Sequence, residues 1–150
     1  MHLYSNNWKN SLVNEWMLHM VKGPSVILSE KDELLAENFI EGGLKKNFAR
    51  VLTLLSKKEE LTSREIERGT DLRQPEVSIA INYLSKRKWA RVSNLITENK
   101  GRPVKLYKLS MTLDEIVDEI EAEKKDEFDH QMALLKETRE LIKDIKKEQG

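Results

Sequence analysis

The stretch LTSREIERGTDLRQPEVSIAINYL, residues 61–84, contains two helix starts separated by one short turn. Thr62 and Glu65 stand at the T-x-x-E spacing of a capping box, in which each side chain accepts a backbone N–H left unpaired by the first turn. They predict a short helix over about 63–69, ended near Gly69. Gln74 then precedes Pro75, whose fixed φ and missing N–H suit the first position of a second helix. Beyond it Val77, Ala80, Ile81 and Leu84 recur at helical spacing and define one narrow inward face, so the second helix is expected over 75–88. Leu72 is the apolar residue of the intervening turn. A compact helix pair whose second member has a polar N-terminus is a helix-turn-helix.

The residues outside that inward face carry the functional reading. An α-helix fits the major groove of DNA, and its first exposed residues reach base edges. Gln74 and Asn82 can pair bidentately with adenine, and Ile79 can touch a thymine methyl group; Glu76 and Ser78 complete the candidate base contacts. Arg64, Arg68, Arg73, Tyr83, Lys86 and Arg87, with Lys88 beside them, are candidate contacts to phosphates.

Outward from this pair the pattern is consistent. Leu44, Phe48, Val51, Leu52 and Leu55 mark an amphipathic helix before it. After Trp89 the period changes: Val92, Leu95 and Ile96 form a strand-like run, residues 98–103 read as a turn, and Val104, Leu106, Tyr107 and Leu109 suggest a second strand. Val104 and Leu106 are expected to face the core and Lys105 water. The order from 44 to 110 is therefore helix, helix, turn, helix, strand, basic turn, strand.

Charge is sorted along the chain. The whole carries 26 basic and 26 acidic side chains. Residues 1–44 have a balance of −3, residues 45–108 of +9, and residues 109–150 of −6. The basic middle is a candidate polyanion site, which the neutral total conceals. With no cysteine there is no disulfide, thiolate nucleophile or thiolate zinc site. The three histidines lack ligand-type spacing, and no P-loop, dinucleotide, zinc-protease or nucleophile-elbow motif is present, so no enzyme, cofactor or metal is expected. The clustered acids of 114–129 read as a solvated helix face. No apolar run approaches the roughly 20 residues that span a bilayer, and the first residues lack a secretory stretch, so a cytoplasmic location without membrane contact is expected.

The segment 61–84, followed by KRKWARV and NKGRPVKLYKL, resembles archaeal winged helix-turn-helix transcriptional regulators of the broad ArsR, MarR and TrmB-like group. The resemblance covers residues 44–110 and rests on QPEVS and the GRP turn. It implies a recognition helix over 75–88 and a β-hairpin wing over 98–103, with Lys100 and Arg102 on the DNA backbone or in the minor groove. Lys88 stands where many relatives have glycine, and the cysteines of metal sensors are absent, so metal sensing is not implied. Double-stranded DNA is the expected partner. A winged-helix adaptor that binds only proteins is the alternative.

The flanks divide the chain into an N-terminal helical segment (1–43), the winged domain (44–110) and a C-terminal dimerisation helix (111–150). Trp8, Leu12, Trp16 and Met20 form a helical stripe over 6–20, read as core or interface in preference to an effector pocket; the effector, if one exists, is unknown. Ser29 with Asp32 starts another helix, and Gly42-Gly43 breaks it. Thr112 and Glu115 form a further box opening a helix of about 38 residues, roughly 57 Å long. Its stripe runs through Leu113, Ile116, Ile120, Phe128, Leu135 and Ile142, with a register slip between 120 and 128. A homodimer through this coiled-coil-like helix is expected, with fold-back at 121–127 as the alternative. The fold class is mainly α with a small β-hairpin wing.

Overall fold

Residues 26–97 and 102–150 are described by a computed structural model. The helix expected over 6–20, with Trp8 and Trp16, and the wing tip with Lys100 lie outside the described residues. The chain divides into two compact units, one ending at Met111 and the other spanning Thr112–Gly150.

In the first unit, α1 (Glu30–Glu41) opens on a complete capping box. The Ser29 hydroxyl accepts the Asp32 N–H at 3.2 Å, and the Asp32 carboxylate accepts the Ser29 N–H at 2.8 Å. It closes where Gly43 takes φ 110°, which lets the N–H of Leu44 reach the Phe39 carbonyl at 3.0 Å. Helix α2 (Lys46–Leu55) is more central than its stripe predicts. Val51 through Leu55 are all buried because α1, α3, α4 and β3 pack around this helix. Thr53 is accommodated there because its hydroxyl donates to the Ala49 carbonyl at 2.8 Å.

A two-residue strand, β1 (Leu61–Thr62), leads directly into α3 (Ser63–Thr70). Then come α4 (Gln74–Lys86), β2 (Ala90–Thr97) and β3 (Pro103–Leu109). The sheet is antiparallel in the order β1-β3-β2, with Leu61 opposite Tyr107 and Ala90 opposite Leu109. The expected two-stranded wing thus gains a third strand, too short to show any alternation. Leu106 is buried, Val104 partly covered and Lys105 exposed, as the alternation predicts. A bulge between Val92 and Asn94 shifts the phase of β2, which explains why its apolar residues do not alternate. Pro103 begins β3 rather than ending the turn, at a strand start that tolerates its missing N–H.

Helix α4 starts one residue earlier and ends two residues earlier than the sequence suggests. Its end is a Schellman turn: Lys88 adopts φ 62°, its N–H donates to Ser85 at 3.0 Å, and that of Trp89 donates to Leu84 at 2.9 Å. Trp89 is thereby driven into the core. Helix, strand, helix, helix and hairpin in this order, with β1 beside β3, make a winged helix-turn-helix.

The second unit is one helix, α5 (Leu113–Gln149), capped by the Thr112 hydroxyl, which accepts the Glu115 N–H at 3.1 Å. It runs unbroken through 121–127, so the fold-back is not adopted. Along it Ile116 is buried, Leu113 and Ile120 are partly covered, and Phe128, Leu135 and Ile142 are exposed.

Candidate nucleic-acid interface

The helix pair is held from behind. Thr62 and Glu65 form both halves of the predicted box, at 3.2 and 3.0 Å, and Lys58 steadies Glu65 at 3.2 Å. At the other end of α3, Arg50 donates from Nε to the Thr70 carbonyl at 3.4 Å and pairs with Glu33 at 2.5 Å. Gly69 does not stop α3; it lies inside it. A Cβ there would lie 2.4 Å from the Val26 carbonyl oxygen and 2.6 Å from a Leu54 methyl carbon. The glycine is therefore required by close packing against α2 and the segment before α1. The chain turns instead at Asp71, with φ 58°.

This support aims one face of α4 outward. Val77, Ala80, Ile81 and Leu84 are buried, as their spacing predicts. Pro75, Ile79, Asn82 and Lys86 follow at i, i+4, i+7 and i+11 on the opposite side, and all are exposed, with Gln74 and Ser78 alongside. Ile79 is 62% exposed, an aliphatic side chain set among hydrogen-bonding ones. Pro75 was legible only as a helix start; the same 3.6-residue period places it on the outward strip.

Three predicted contacts have work inside the fold. Glu76 accepts the Arg73 N–H at 3.0 Å and lies 3.6 Å from the Arg73 guanidinium, so it caps its own helix. Tyr83 stacks on Phe48 at 4.5 Å and meets Trp89 edge-on at 6.2 Å, which makes its ring a packing element. The Arg87 guanidinium covers the Trp89 ring at 4.2 Å. Arg64 and Arg68 on α3, Arg73 at the start of α4 and Lys86 at its end are exposed, and Arg102 is exposed just before β3. Arg73 is 87% exposed despite its pairing with Glu76, an arrangement that water screens heavily.

Other cations of the basic middle are internally matched. Lys57 bonds Asp32, and Lys108 lies 3.9 Å from Glu59. The Lys57 ammonium and the Ser29 N–H hold the Asp32 carboxyl below its ordinary value. Among the described residues no cluster of metal-ligating side chains occurs, and no helix is long and apolar enough to cross a membrane.

No family model and no curated protein matches the chain. Among solved structures it is similar to a "Possible transcriptional regulator" from Methanosarcina mazei Go1, at 17% identity and a TM-score of 0.56, over 67% of this chain and 86% of that one. At that identity the similarity establishes the fold, and it agrees with the winged helix-turn-helix topology.

Proposed function

We propose that this protein is a sequence-specific DNA-binding transcriptional regulator, not an enzyme, that acts as a homodimer in the cytoplasm. The observation that carries the reading is the outward strip of α4, where Gln74, Ser78, Ile79 and Asn82 are exposed together, with exposed cations at both ends of that helix and on α3 before it. Amide, hydroxyl and aliphatic groups are those that read base edges in the major groove, and the surrounding cations suit phosphates. In this reading Arg64, Arg68, Arg73 and Lys86 set the register on the backbone. The wing over 98–103, through Lys100 and Arg102, follows the backbone or enters the minor groove. The name of the Methanosarcina structure supports the same direction. The exposed apolar residues Phe128, Leu135 and Ile142 of α5 support dimerisation, which would let two recognition helices one DNA turn apart, about 34 Å, or a whole multiple of it, read a two-fold site.

Site selection from random duplexes followed by binding assays tests the proposal. Asn82→Ala should relax preference at particular base pairs, by about 1–3 kcal/mol at each. Arg102→Ala should weaken binding to all sequences alike. Absence of duplex binding at low salt would refute the function and favour a protein-binding adaptor; identical, sequence-independent effects of the two changes would refute the division of labour.

A further inference from the structure

The seam of α5, exposed except at the partly covered Ile120, reads nearly the same from either end. In order it comprises Val117, Ile120, Lys124, Phe128, Gln131, Leu135, Thr138, Ile142 and Ile145, and α5 extends from Leu113 to Gln149, so Gln131 is its midpoint. Lay a second copy against it, running the opposite way about that midpoint. Val117 of one copy then meets Ile145 of the other, and Ile120 meets Ile142, at each end of the pair. Phe128 meets Leu134 and Leu135 near the middle. Val117, Phe128, Leu134, Leu135, Ile142 and Ile145 are all exposed in the single chain, so this arrangement covers apolar surface that has no cover within one chain.

Charge selects the orientation. Residues 113–130 carry nine acidic and two basic side chains, a balance of −7, whereas residues 131–149 carry four acidic and five basic, a balance of +1. Parallel pairing sets −7 against −7 along half the contact. Antiparallel pairing sets −7 against +1 in both halves. At about 100° per residue Glu115, Asp126 and Lys147 lie on the side of α5 away from the seam, so the difference in balance between the two halves, rather than individual pairs, carries the orientation. Charge along paired helices sets partner orientation in this way.

We infer that α5 pairs with α5 of a second copy in antiparallel orientation, centred on Gln131. The inference rests on the homodimer proposed above and adds its geometry: the two Met111–Thr112 junctions stand about 55 Å apart rather than side by side. The acidic half of α5 thereby acquires a function, excluding the parallel arrangement.

The chain contains no cysteine, so an introduced one reports a single site. Mixing the full-length Val117→Cys and Ile145→Cys proteins under mild oxidation should give a disulfide-linked heterodimer, while Val117→Cys alone gives none. A spin label on Glu115→Cys, off the seam, should report a separation of about 48 Å within the dimer. Linkage of Val117→Cys to itself, or label separations below about 20 Å, would overturn the orientation while leaving the dimer intact. A monomeric mass by light scattering would instead remove the dimer, and the inference with it.

Discussion

Gly69 sits at a helical position where intrinsic propensity favours almost any other residue. In an open helix, replacing it with alanine would stabilise the fold by about 1 kcal/mol. Its surroundings reverse the sign, because the added methyl group would meet the Val26 carbonyl oxygen at 2.4 Å and Leu54 methyl carbons at 2.6 and 2.8 Å. Carbonyl oxygen of the backbone yields less readily than a flexible side-chain end. Gly69→Ala should therefore destabilise the protein by about 1–3 kcal/mol, the usual range for overpacking. Urea denaturation measures this; a variant as stable as the parent would show that α3 can move off α2 without loss. Lys88 presents the converse case. Its φ of 62° belongs to a Schellman turn, a left-handed position that glycine fills at the least steric cost.

At the scale of elements, α1 depends on a charge that acid can remove. The Asp32 carboxylate accepts the Ser29 N–H and hydroxyl and bonds Lys57, which holds its pKa below the unfolded value of about 3.9. A depressed pKa contributes stability in full above the unfolded value, and that contribution is lost as pH falls through the folded one. Asp32→Asn should then cost about 0.5–1 kcal/mol at pH 7, in the range of helix-cap and helix-dipole effects. The gap between variant and parent should narrow below about pH 4. A gap independent of pH in denaturation curves would assign the cost to geometry rather than charge. Elements such as α1 were legible because capping residues and stripes are local signals. The outward strip of α4 was legible for the same reason: Gln74, Ser78, Ile79 and Asn82 are simply what remains outside a buried face read from spacing. Strand β1 was not, since two residues carry no period and their pairing with β3 is set by the whole fold. Nor were the engagements of Glu76, Tyr83 and Arg87, which depend on Arg73, Phe48 and Trp89 being brought beside them by the turn and the packing.

For the whole molecule, the neutral total of charge conceals a basic middle of +9 between acidic flanks. If exposed cations of that middle neutralise phosphates, binding to duplex DNA must release counterions, and log K must fall linearly with log salt. The slope then counts contacts, and it counts them per complex rather than per chain. Arg68 is suited to this measurement, being exposed on α3 rather than on the proposed base-reading strip of α4. Each phosphate contact contributes about 0.9 to the slope on B-DNA. Arg68→Ala should accordingly lower its magnitude by about 1.8 if two copies bind one site, and by about 0.9 if one does. The loss should be the same on preferred and random sequences, because phosphate contacts carry no sequence information. Fluorescence anisotropy between 50 and 200 mM salt, a span of roughly the kind over which such contacts are felt, measures the change. An unchanged slope would remove Arg68 from the interface. A change near 0.9 would mean that a single copy docks, even if the protein in solution is a dimer.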